Sequence, residues 1–326
     1  MSLRDSWKHM HMPDIPLVKA TYLPDRHKPV DRWFQAKNAG NAGTTAQFIA
    51  GICDEEPELV IDPFCGSGST ATAARLLSLP FYGIDSDPVL SCVSLAKTSA
   101  SGRHAALLPA LPGAKTPGQL ASALEQIRSS CDWEDARVVS ALTVLSAFRR
   151  AKRRPLDAAT IAGDLAAWPD PVPGGYLTRG DARSAASWTR LGLPQARVVM
   201  YTSPPFGLTS PVIHPPAYVR RAAISVLRAF DADVLGETTP EFPGYAELVI
   251  GMLRQAATYL TRGTLIVEHE PQIEERRPDG LVVDGTAAVI QAVDAEFKGV
   301  IHSPRVIECG TFSKRGMLSL MIFDLR

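Results

Sequence analysis

Short apolar runs alternate along this chain with longer stretches of helical spacing, and acidic or glycine-rich turns mark the changeovers. Leu59, Val60 and Ile61 are apolar at every position, as a strand buried on both faces requires. Asp62–Gly68 then makes a tight turn, and Ser69–Leu79, rich in Ala and Leu, reads as a helix. Phe81–Ile84 is a second strand, with Asp85 and Asp87 at its end, followed by a helix over Val89–Lys97. The pattern further predicts a helix capped by Thr44 and Thr45 and running to Ile52, helices at Pro117–Ser130 and Glu134–Arg150, and a short strand with a Gly-Asp turn at Tyr176–Arg183. A strand at Arg197–Tyr201, an amphipathic helix at Tyr245–Leu260, a fifth strand at Gly263–Glu268 and a helix at Thr286–Phe297 complete the alternation. Val300–Glu308 and Met317–Phe323 read as an antiparallel hairpin joined by the turn Phe312–Gly316. This order predicts an α/β fold.

The turn after the first strand carries chemistry. Gly66 and Gly68 let the backbone bend sharply and approach a ligand, and the helix behind them offers unpaired N–H groups. A carboxylate ending the next strand, about 20 residues on, is placed to accept both hydroxyls of a ribose. Those features point to an adenosine-containing ligand, although a glycine turn by itself is also a common connection and Asp85 by itself an ordinary loop residue.

DPFCGSGS followed by GIDSDP resembles motifs I and II of the S-adenosylmethionine-dependent amino-methyltransferases, of the DNA N4-cytosine and N6-adenine type. Thr202, Ser203, Pro204, Pro205 and Phe206 resemble motif IV, the box of enzymes that methylate exocyclic amines, cytosine N4 above all. The resemblance implies a Rossmann-like seven-stranded class I methyltransferase sheet with a C-terminal antiparallel hairpin. It implies that S-adenosyl-L-methionine is held by Thr44, Asp62, Phe64, Gly66, Gly68, Asp85 and Asp181, with Thr44 and Thr45 over its methionine end and Asp181 on its adenine. The catalytic set would be Ser203, Pro204, Pro205 and Phe206. The physics of that box agrees: adjacent prolines fix the carbonyls of Ser203 and Pro204, which can hold an amine and aim its lone pair, and Phe206 can stack on a planar ring. No strong base is needed if the amine proton leaves after attack. Motif I precedes motif IV, which excludes the permuted class with the reverse order.

The implied organisation is an N-terminal arm at 1–43, a first part of the methyltransferase domain at 44–97, a helical insertion at 98–175, and a second part with the motif IV site at 176–326. The arm is polar and proline-broken, and Trp7, Tyr22, Trp33 and Phe34 would either pack it across the core or make it a lid for a partner or substrate. The insertion holds the basic run Arg149, Arg150, Lys152, Arg153 and Arg154, read either as a solvated face or as a contact for phosphate.

Charge tempers the DNA reading. Lys plus Arg and Asp plus Glu both number 34 in 326 residues, whereas a duplex-gripping protein usually carries a net basic surface. Small-molecule tailoring on the same scaffold, including amine cyclisation to an aziridine, therefore stays open beside DNA, as do RNA, a protein amine and a non-catalytic subunit needing a protein partner. Five cysteines without metal spacing, no membrane-spanning run and no signal-peptide core suggest a cytoplasmic protein that binds no metal. His214 and Tyr218 are candidate substrate contacts, and Cys65 reads as a packing residue.

Overall fold

The computed structural model describes residues 29–34, 40–107, 116–205, 214–238, 240–241, 244–269, 274–276, 282–313 and 316–326. Trp7, Tyr22, Phe206 and most of the turn at Phe312–Gly316 lie outside the described residues or their described side chains.

The expected α/β alternation is the one observed. Helix α1 (Ala42–Ile52) precedes strand β1 (Leu59–Asp62), helix α2 (Ser69–Leu76), strand β2 (Phe81–Asp85) and helix α3 (Pro88–Ser99). Four helices follow: α4 (Gly102–Leu107), α5 (Pro117–Ser130), α6 (Trp133–Ala151) and α7 (Ala158–Ala166). Then come β3 (Tyr176–Arg179), α8 (Ala185–Leu191), β4 (Val198–Thr202), α9 (Ala217–Ala229), α10 (Tyr245–Tyr259) and β5 (Gly263–His269). A small hairpin of β6 (Glu274–Arg276) and β7 (Val282–Asp284) leads to α11 (Gly285–Glu296), β8 (Ile301–Ser313) and β9 (Gly316–Leu325).

One sheet runs β3-β2-β1-β4-β5-β9-β8, parallel from β3 through β5 and antiparallel over the last two strands. Its order reverses between β1 and β4, which pair with Leu59 opposite Val198. Alternation along the strands divides the core. Val60, Phe81, Leu177, Val199, Tyr201 and Ile266 face the helices of the first half, while Ile61, Tyr82, Ile84, Met200 and Val267 face α8, α10 and α11. Gly263 can start β5 because a Cβ there would lie 1.9 Å from the Val198 carbonyl oxygen, at a φ of +147°.

Two helix boundaries differ from expectation. Asn41, not Thr44 or Thr45, caps α1: its side chain accepts from the Thr44 N–H at 3.2 Å, so Thr44 and Thr45 lie inside the helix. Asparagine is the better cap, and Ala42 and Gly43 fill the first turn. Helix α2 stops at Leu76 rather than Leu79, because Ser78 turns to φ +57° and the Leu79 N–H closes back on Ala74. Helices α4, α7 and α8 and the β6–β7 hairpin, all short, carry too few turns to announce themselves by period. The arm reaches the core through buried Trp33 and Phe34: the Trp33 indole donates to Asp164 at 2.8 Å, and Phe34 stacks on Phe148.

Candidate active site

The turn after β1 is built by its own sequence. Asp62 is buried, and its Oδ1 accepts from the Phe64 N–H at 3.0 Å, which bends the chain out of the strand. Gly66 and Gly68 take φ of +49° and +79°. A Cβ at Gly68 would sit 3.0 Å from Ser94 Oγ and 3.1 Å from Ser94 Cα, so the turn lies against α3 only because no side chain intervenes, whereas at Gly66 only a carbonyl 3.7 Å away comes near. The Cys65 N–H donates to the Ile84 carbonyl at 3.0 Å, tying the turn to the end of β2. Cys65 is buried, which drives its thiol well above the usual range, and it serves packing as expected.

Asp85, half-buried at the end of β2, is engaged on both oxygens. Oδ2 accepts from the Gly66 N–H at 2.7 Å and Oδ1 from the Asp87 N–H at 2.8 Å. Burial nonetheless pushes its carboxyl up to about 7, and that of Asp62 to about 6. Asp87 caps α3 through the Val89 and Leu90 N–H groups, and Arg220 lies 3.6 Å from it.

Asp181 stands beside this pair, since the Gly180 N–H donates to the Asp85 carbonyl at 2.9 Å. Its carboxylate is held by Arg183, whose Nη2 is 2.8 Å and Nε 3.0 Å away. Any ligand amine would share that carboxylate with the guanidinium. Thr44, half-buried near the start of α1, is brought to the same edge by the Ser69 hydroxyl, which donates to the Gly40 carbonyl at 2.9 Å.

Strand β4 delivers the second half of the site. The Thr202 hydroxyl donates to Asp62 Oδ1 at 2.6 Å, fastening the β1 turn to the start of the proline box. Ser203 is half-buried, Pro204 buried and Pro205 exposed, and Phe64 is half-buried against the second core face. The edge thus gathers Thr44, Asp62, Phe64, Gly66, Gly68, Asp85, Asp181, Ser203, Pro204 and Pro205. His214 is exposed, and Tyr218 is half-buried with one side packed against the core.

Glu268 at the end of β5 was not foreseen as a site residue. It is buried, accepts from the Tyr201 hydroxyl, and bonds the Ser203 hydroxyl; burial raises its carboxyl, with Asp62 adding repulsion. The signal was present: β1, β2 and β5 each end their apolar run in an acidic residue. His269 follows, buried and held neutral at about 4 by desolvation, in contact with Thr286 and the Tyr245 ring. Among the described residues, no three His, Cys, Asp or Glu side chains are grouped to hold a metal, and no helix is long and apolar enough to cross a membrane.

The carboxylates and the open glycine turn fit an adenosyl group by donor and acceptor chemistry: ribose hydroxyls would meet Asp85, and the space beside Gly66 leaves room for a ligand. Comparison with known proteins falls on the same region. The family N6_N4_Mtase, described as DNA methylase, matches residues 45–91. Type II methyltransferase M.EcaI of Enterobacter cloacae is 44% identical over 57 residues, which is 18% of this chain and 12% of that protein. Through this segment the chain is similar to the amino-methyltransferase family, as its motifs indicate.

Proposed function

We propose that this protein is an S-adenosylmethionine-dependent amino-methyltransferase whose substrate is DNA, with cytosine N4 as the acceptor. The observation that carries the reading is the Thr202–Asp62 bond, which fixes the cofactor-type turn and the Ser203–Pro204–Pro205 box as one unit at one sheet edge. The seven-stranded sheet with its antiparallel end supports a class I methyltransferase sheet, in which residues 98–175 would be the insertion. S-adenosylmethionine, when bound, supplies a methyl group on an electrophilic sulfonium. Asp85 and the Gly66–Gly68 turn would hold it, with Thr44, Asp62, Phe64 and Asp181 around them.

The chain's own residues then do three things. The Ser203 and Pro204 carbonyls, set by the proline pair, would hold the acceptor amine. The buried edge orients it, and orientation supplies much of the rate in a displacement. The Ser203 hydroxyl, bonded to Glu268, offers the route for the proton that the nitrogen sheds as it attacks. A base within a duplex must be rotated out of its stack to reach this edge.

Calorimetric titration with S-adenosylmethionine, then with short duplex DNA at two salt concentrations, tests the proposal. Binding of both is expected, with DNA binding falling steeply as salt rises. Cofactor binding without DNA binding would move the substrate to a small molecule, which the zero formal net charge favours. A Pro204→Ala variant should bind the cofactor as the native protein does and turn over roughly tenfold more slowly, through loss of orientation. An equal loss of cofactor affinity would overturn that division of roles.

A further inference from the structure

The basic run of the insertion is a folded object with a particular backbone. Helix α6 closes with the Arg154 N–H on the Arg149 carbonyl and the Arg153 N–H on the Arg150 carbonyl, both at 2.9 Å, so that Arg153 takes the left-handed position at φ +57°. That closure is the helix stop at which glycine is favoured, because a Cβ is strained there. Ser78 and Asp231 fill the same position after two other helices, but short polar side chains tolerate it better than an arginine does. Keeping arginine at this point holds a cation in place at a conformational cost.

Five cations are thereby held in six positions, with Lys152, Arg153 and Arg154 exposed and Arg149 and Arg150 half-buried. Among the described residues none of the five forms a salt bridge. Several basic residues elsewhere are paired: Arg190 with Asp231 at 2.6 Å, Arg228 with Glu237 at 3.1 Å, Arg254 with Glu296 at 2.8 Å, and Arg220 faces Asp87. The negative end of a helix attracts cations, but that attraction fades within the last turn and does not call for three more beyond it.

The run also lies toward the site. Helix α6 starts beside the entry edge of the sheet, where Arg137 stacks 4.8 Å from the ring of Tyr176, the first residue of β3. Nineteen residues carry it about 28 Å. It packs along α3 and starts beside the end of that helix, where Asp135 lies 3.2 Å from His104, so its far end runs toward the head of α3, which Asp87 caps at the edge of the site. The basic turn therefore lies toward the side of the molecule that bears the glycine turn.

We infer that the turn Arg149–Arg154 is a contact for the phosphate backbone of nucleic acid, placed to hold duplex DNA across the edge that bears the site. It rests on the methyltransferase reading for the choice of DNA. It also resolves a tension in composition: an unpaired local cluster gives a neutral chain the electrostatic grip that its net charge withholds.

Arg153→Gly tests it, because fold and function should move in opposite directions. The variant should raise the thermal midpoint by a few degrees, since glycine suits the backbone. It should bind short duplex DNA about three- to tenfold more weakly at low salt, with the slope of log affinity against log salt reduced by about one. Arg153→Lys should keep both slope and affinity near native. A stabilised Arg153→Gly protein with native affinity and slope, together with a triple Lys152→Ser, Arg153→Gly, Arg154→Ser variant that also binds DNA normally, would overturn the inference while leaving the methyltransferase reading standing. Failure of the native protein to bind duplex at all, with cofactor still bound, would overturn both this contact and the DNA substrate. Binding of the run to phosphatidylserine vesicles in place of duplex would likewise overturn it.

Discussion

Asp85→Asn should weaken S-adenosylmethionine binding by about two orders of magnitude, measured by calorimetry. The carboxylate already receives two backbone N–H groups, from Gly66 and Asp87. An asparagine has one acceptor oxygen, so its NH2 group must confront one of those donors whichever way it turns. The turn loses an anchor and the ribose loses a charged acceptor, and charge-assisted bonds are each worth about 1.5–3 kcal/mol. The native affinity should also depend on pH. Burial holds the Asp85 carboxyl at about 7, so the acceptor is protonated below that value and ionised above it. Affinity should rise as pH increases from 6 to 8, and the asparagine variant should show no such rise. Ligand-free stability should run the other way: a carboxyl raised from its unfolded value of 3.8 to about 7 stabilises the fold below 3.8, and that contribution is lost as pH climbs through 7. A native protein whose cofactor affinity is flat across this window would argue that Asp85 does not meet the ligand.

Glu268→Gln should lower turnover by about 10²–10³-fold and leave cofactor affinity within twofold of native. Glutamine fills the same space and still offers a partner to the Tyr201 and Ser203 hydroxyls, so the packing of β4 against β5 is preserved. What disappears is a carboxylate able to take up a proton, a contribution typically of 10²–10⁴. The readout that separates this from a structural defect is the pH profile. The acidic limb of kcat in the native enzyme should vanish in the variant, whereas a merely loosened site would keep its limb at a lower plateau.

Strands were legible in the sequence because a run buried on both faces is largely apolar, as Leu59–Ile61, Val198–Tyr201 and Leu265–Val267 are before each strand ends in polar residues. The nucleotide-type turn was legible because its glycines and acids lie within one short stretch. Other parts were not. Arg183 could not be foreseen as the partner of Asp181, since a turn of two residues brings them together with no periodic signature. Nor could the placement of Glu268 beside Ser203, which depends on β4 and β5 being neighbours with Thr202 opposite Val267. The start of α1 escapes the sequence because Asn41 falls within the expected N-terminal arm, and its cap is visible only in the bond from the Thr44 N–H.

The Thr202–Asp62 bond has a consequence for how the chain comes to its shape. The two residues are 140 positions apart, and β1 meets β4 only after the helical segments between them have been made. Helices α3 to α7 can associate early through neighbours near in sequence, but the central strand pair must wait for a long closure, and such distant pairings slow folding. On a ribosome the half-site proposed for adenosine, apart from Asp181, would emerge first and stand with the β4 side of β1 uncovered. Competence for binding and competence for chemistry would then be acquired at different moments of synthesis.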